Sequence, residues 1–225
     1  MTQTQLLERC CQQPEAHLAV AAMNHYQAYL TGYQIVADTD EEDFDLVHFE
    51  KQLMADYKLK KRWCSSRSAL CFLTLVEGDP NSLHVYLKYR QQLAVRSESQ
   101  TLANEHRKDW DLEELLSVRG AIRRRPKMYL GNDAGSGHVW SLISGARWAE
   151  KDHPRETGEG WATRFMREFQ IKIEQCNPCS RGVPWHRTLW FNCLCAHDIS
   201  LSGFFSCFTC FQSGGISDDG DDDDE

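Results

Sequence analysis

The sequence predicts an all-α protein made of two tandem copies of a roughly five-helix module, packed as a pseudo-symmetric helical pair. Three observations predict it. Apolar residues recur at helical spacing along most of the chain, prolines and glycines interrupt that pattern at matching places, and the two halves align in order. With 225 residues, 41% of them hydrophobic, the chain has enough apolar side chains for one large core or two small ones.

Pro14, Leu18, His25 and Gly32 align with Pro126, Leu130, His138 and Gly145, at an offset of 112 that becomes 113 after one inserted residue. Phe49 and Leu53 then match Phe165 and Phe169, Trp63 matches Trp185, and residues 79–89 match 198–208. Each identity is weak alone, but the order is kept and the insertions fall in polar segments, where surface loops tolerate added length. The alignment divides the chain into a first module at 1–95, a polar linker at 96–108, a second module at 109–212 and an acidic tail at 213–225 that reads as disordered.

Each module opens on a leading helix, residues 5–12 and 112–125, stopped by the proline that follows. A second helix is expected over 16–37 and, after a glycine-rich turn at 131–137, over 138–150; Gly32 and Gly145 inside these helices point to close helix packing. The third helix spans 43–60 and 160–174, with Phe44, Val47, Leu53 and Met54 in one copy and Trp161, Phe165, Phe169 and Ile173 in the other forming the apolar stripe. Residues 69–76 and 188–196 are continuous apolar runs that fit a buried helix or a strand, and the neighbouring pattern favours helix. The last helix starts at Asp79 and Asp198, each placed to act as an N-cap, and ends near Leu93 and Gln212.

Net charge is -8, but the tail concentrates acidic residues, so the rest of the chain is close to neutral. It lacks the broad basic surface that phosphate contacts require, and nucleic acid is not an expected partner. The longest uncharged apolar runs, at 189–195 and 204–211, fall far short of a bilayer span, and no membrane helix is expected. The first residues carry no basic n-region, which points to a cytoplasmic protein. Ten cysteines without a secretory signal, most among apolar neighbours, read as reduced thiols.

The most distinctive string runs from Ile122 to Gly131. Its structural reading is a helix stop, in which Pro126 breaks the helix, Met128, Tyr129 and Leu130 plug the core and Gly131 makes a positive-φ turn. A similar string occurs in the ATPase region of type II topoisomerases, but the other parts of that nucleotide site are missing; Asn132-Asp133-Ala134-Gly135 is only a loose echo of its Asp-x-Gly segment.

Residues 112–212 resemble small bacterial immunity proteins in a whole series of features. These are Arg125, Pro126, Met128, Tyr129, Leu130 and Gly131 after a leading helix, then Gly160-Trp161 with Phe165 and Phe169, then Trp185, Asp198, Phe204, Phe205 and Phe208. Such proteins accompany polymorphic toxins, including those of contact-dependent growth inhibition. The resemblance implies a non-catalytic, cofactor-free protein that binds and blocks its cognate toxin, the C-terminal domain of a large secreted effector, in the producing cell. Residues 1–100 keep Pro14, Leu18, Gly32 and Phe49 but lack the Met-Tyr-Leu-Gly string.

Two further features bear on function. Cys176 and Cys179, with Cys207 and Cys210, form two C-x-x-C pairs at a zinc-ribbon-like interval and leave a zinc-binding regulator or adaptor as the alternative. Against it, Cys207 and Cys210 lie in a phenylalanine-rich helix, where buried small hydrophobes are expected. His138, His186 and His197 are available as bases for a nucleophile, although nothing in their spacing selects a triad. The acidic cluster Asp38, Asp40, Glu41, Glu42, Asp43 and Asp45 is the expected toxin-binding face, because a nuclease inhibitor must cover a surface built for phosphate.

Overall fold

A computed structural model describes residues 1–37, 46–59, 66–79, 81–93, 111–131, 133–154 and 158–213. The acidic residues from Asp38 to Asp45, Trp63, the 96–108 linker and nearly all of the acidic tail lie outside the described residues. All regular structure among those described is helical.

In the first half, α1 (Gln3–Gln12) starts on a capping box: Gln5 N–H donates to the Thr2 side chain, and the Gln5 side chain accepts the Thr2 N–H at 2.9 Å. The expected 16–37 helix is two. Pro14 sits at the first position of the short α2 (Pro14–His17), the chain is extended at Leu18, and α3 (Met23–Ala37) follows. The break is tertiary in origin: Leu18 is buried and the Ala19 N–H donates to Ser141 of the other half at 3.0 Å, a bond that continuous helix would forbid. Then come α4 (Leu46–Asp56), α5 (Ser66–Glu77) and α6 (Asn81–Leu93), so the apolar run at 69–76 is helix.

In the second half the leading 112–125 helix is also two, α7 (Leu112–Leu116) and α8 (Ala121–Arg124). Gly120 turns between them with its Cα so close to the Leu115 carbonyl that a Cβ would overlap it. Pro126 starts α9 (Pro126–Leu130) rather than only ending the helix before it, and Gly131 closes α9 at φ 94°, the positive-φ turn expected. There follow α10 (Ser136–Asp152), α11 (Trp161–Cys176), α12 (Trp185–Asn192) and α13 (His197–Gln212). Asp198 is not the N-cap of α13; Ala196 is, and Asp198 lies in the first turn, where its charge still suits the helix dipole.

The halves meet where α3 crosses α10, the most extensive helix pairing in the molecule. Gly32 and Gly145 mark the contact reciprocally: a Cβ on Gly32 would overlap the Leu142 carbonyl, and one on Gly145 would overlap the Tyr29 carbonyl. Two apolar cores flank the crossing. One holds Leu6, Tyr26, Tyr33, Phe49, Leu53 and Tyr86, the other Leu116, Ile122, Phe165, Phe169, Trp185 and Phe204. Each borrows from the opposite helix of the crossing, Ala149 entering the first and Ala28 the second. The internal packing runs in parallel: Phe49 meets Tyr89 edge-on at 5.4 Å, and Phe165 meets Phe208 edge-on at 5.5 Å.

Polar ties reinforce the arrangement. Arg9 of α1 pairs with Asp152 of α10 at 2.9 Å and lies over the Trp148 ring, and Tyr33 donates to the same carboxylate. Glu150 caps α11, accepting the N–H groups of Ala162 at 2.7 Å and Thr163 at 2.9 Å and the Thr163 hydroxyl at 2.8 Å. Replacing Glu150 with Ala leaves those donors orphaned. The expected cost in urea denaturation is about 1–2 kcal/mol, and Gln, which keeps an acceptor, should lose less.

Candidate functional site

Where α10 begins, the fold gathers histidines and serines from four helices, all of them buried except His197, which is exposed. His25 of α3 and His138 of α10 stack at 4.0 Å between ring centroids, tilted by 22°. His138 Nδ1 accepts the Gly135 N–H at 3.2 Å, so its proton sits on Nε2, which has no partner. Ser141 Oγ accepts the Ala19 N–H at 3.0 Å and lies 3.1 Å from His25 Nδ1, so its own hydroxyl proton is placed to bond that nitrogen.

Behind the stack stand His186 of α12 and His197 of α13. Ser136 donates its N–H to Ser200 Oγ at 3.2 Å and its hydroxyl to the His186 carbonyl at 2.9 Å; Ser200 in turn donates to the His197 carbonyl. A Cβ at Gly135 would lie 3.0 Å from both His197 Nδ1 and Ser200 Oγ, so a larger residue there needs those side chains to give by a few tenths of an ångström. His186 packs against Trp140, His197 against Trp190, and neither ring nitrogen of His186 has a partner.

Burial dominates the electrostatics. It pushes His138 down to about 4, His186 to about 3 and His25 to about 2, with neighbouring imidazoles adding to the effect at His25 and His138 and Arg187 at His186. All three are neutral at physiological pH. Ser141 and His25 form a hydroxyl–imidazole pair of the kind that activates a nucleophile. Ser141 is nevertheless fully buried and its oxygen already holds the Ala19 N–H, so the pair joins helices instead of facing a substrate.

The residues singled out in the sequence fare differently. His138, His186 and His197, which spacing did not connect, do come together, and His25 joins them. Their serine partners carry no sequence signal, but the alignment of His25 with His138 on two glycine-bearing helices did. Asp38, Asp40, Glu41, Glu42, Asp43 and Asp45 lie outside the described residues.

In the Arg125 to Gly131 string, Leu130 is buried, Pro126 and Tyr129 are half-buried and Arg125 is exposed. Met128 does not plug the core as expected; it is 64% exposed, because a helix as short as α9 buries only one side. Trp185 is enclosed at the centre of the second core, and Trp161 stacks on Phe165 at 5.0 Å from its rim.

The cysteines correct the sequence reading as well. Cys207 is half-buried, but Cys176, Cys179 and Cys210 are exposed, so Cys210 is not the buried hydrophobe expected. Among the described residues, the two C-x-x-C pairs included, no three or more His, Cys, Asp or Glu side chains are arranged to hold a metal ion. No single helix among them is long and apolar enough to cross a membrane. The α12 and α13 pair is apolar enough when joined, but is bent by 120° and buries Trp185, Leu189, Phe204 and Phe208 in the second core.

These features define an all-helical protein whose halves meet at a close helix crossing and at a largely buried polar cluster. Comparison with protein-family models, with curated proteins and with solved structures finds no match.

Proposed function

We propose that the protein is an immunity protein, which binds a bacterial toxin and neutralises it, the toxin being a nuclease and most simply an RNase. The observation that carries this reading is the convergence of the motif series. Leu130, Phe165, Phe169, Trp185, Phe204 and Phe208 come from separate stretches of the second half yet pack into one core, so the parts of the resemblance behave as a single structural unit. The duplication belongs to the same proposal. It is supported by the reciprocal contacts of Gly32 and Gly145 and by the like placement of Pro14 and Pro126 at helix starts.

Neutralisation works by occlusion. An acidic face around Asp40, Glu41, Glu42 and Asp43 covers the toxin's basic cleft over an interface of about 1,600 Å². Opposite charge speeds encounter and excludes wrong partners. The protein acts in the cytoplasm of the producing cell, without a cofactor and without binding nucleic acid. The second half preserves the scaffold, and the first half, without the Met-Tyr-Leu-Gly string, carries partner specificity.

The test is co-expression with the toxin domain encoded beside this gene. Cells survive, the purified proteins form a stoichiometric complex, and Lys at positions 40–43 slows association roughly tenfold at low salt with the fold intact. Death of the cells together with absence of a complex overturns the proposal; full-speed association of the charge-reversed variant moves the binding face elsewhere.

A further inference from the structure

The histidine cluster lies on the contact that joins the halves. His25 and His138 belong to the two crossing helices, and their rings face each other across it at 4.0 Å. The hydrogen bond at His138 needs the neutral form, because Nδ1 accepts the Gly135 N–H; His25 Nδ1 lies 3.1 Å from Ser141 Oγ, and a bond with the Gly137 backbone favours the charged form of that ring. His138 also lies in the first turn of α10, at the positive end of the helix dipole, where a cation is disfavoured.

We propose that the His25–His138 stack is an acid-operated release for the crossing of α3 and α10: protons entering it drive the two helices, and with them the two halves, apart. Protonating His138 on Nδ1 displaces the Gly135 donor, and protonating both rings sets two cations face to face. The surroundings offer little compensation. From α12 the stack faces His186 and from α13 His197, both repelling a charge on it; Asp133, in the turn before α10, favours a charged His138, and the Gly137 backbone favours a charged His25. His17 of α2, buried against Tyr29 and Trp148 and also pushed down to about 4, sits elsewhere along the same crossing, with Arg9 and Lys151 opposing its charge and Asp152 and Glu15 favouring it, and adds to the response. Because backbone meets backbone at Gly32 and Gly145, a small separation already removes that contact, which makes the release a two-state event.

The sign follows from where the protons go. The closed state holds these imidazoles below their ordinary pKa of about 6.5, so the open state takes up protons first as the pH falls. The crossing is fully stable above pH 6.5 and loses stability progressively below it, until the closed-state values are reached.

Hydrogen exchange followed residue by residue on the full chain tests this. Protection factors of the α3 and α10 amides should fall about tenfold per titrating histidine between pH 7.5 and 5.5, so about a hundredfold for the stacked pair. His25→Phe, which keeps a stacked ring but cannot take a proton, should fall about tenfold less than the wild type. Protection at α3 and α10 that is unchanged over this range, or a His25→Phe variant as acid-sensitive as the wild type, would overturn the proposal. Should that variant not fold, imidazole nitrogen spectra of the wild type decide instead: His138 carries its proton on Nε2 at pH 7.5, and a doubly protonated signal appears only as the α10 amides lose protection. A doubly protonated signal with α10 still protected refutes the release.

Discussion

Gly145→Ala unfolds or severely destabilises the protein, although alanine in a helix interior ordinarily stabilises by about 1 kcal/mol relative to glycine. The added methyl would occupy the space of the Tyr29 carbonyl oxygen, which is backbone and cannot rotate aside. The helices must separate, and all the packing across the α3–α10 crossing loosens with them. We expect a loss of about 3 kcal/mol or more in denaturant melts, at or above the upper end of overpacking costs. Gly32→Ala, against Leu142, should cost about as much. The double variant should cost clearly less than the sum, because one separation relieves both clashes. A neutral or stabilised Gly145→Ala would show that the crossing is not this close.

Trp185→Ala is expected to remove about 3–5 kcal/mol, a large part of the stability of an ordinary domain. The ring is 1% exposed, meets Phe169 edge-on at 5.2 Å and stacks on Phe204 at 5.4 Å, so its loss empties the centre of the second core. Trp185→Phe keeps most of that contact and should lose less than half as much. Ala28 enters the second core and Ala149 the first, so the loss should appear as an earlier single transition by far-UV and near-UV circular dichroism alike. Two separated transitions in the variant would mean that the cores are not energetically joined.

Much of the candidate site was legible one residue at a time and illegible as a group. His138, His186 and His197 stand on α10, α12 and α13, brought together only by how the chain returns on itself. Ser136, Ser141 and Ser200 are common residues whose importance comes from complete burial. Gly135 reads as part of a turn, and only the side chains of His197 and Ser200 beside it show how tight the space there is. For the cysteines, sequence neighbours misled. The phenylalanines around Cys210 face the core, while Cys210 lies on the opposite side of α13.

Hydrophobic periodicity, being a property of neighbours three and four residues apart, was enough to determine that the chain is helical and where most helices lie, and glycine inside two of those helices pointed to close packing at positions 32 and 145. Proline and glycine chemistry likewise determined the turn at Gly131. Where a helix breaks under a bond from a distant element was decided by the tertiary structure, as at Ala19 with its donor directed to Ser141. The tertiary structure also decided that Gly32 and Gly145 face each other, and that the buried His25, His138 and His186 gather with the exposed His197 beside them. The Ala19–Ser141 bond, the glycine contacts and the His25–His138 stack join residues more than a hundred positions apart, for which local spacing carries no record.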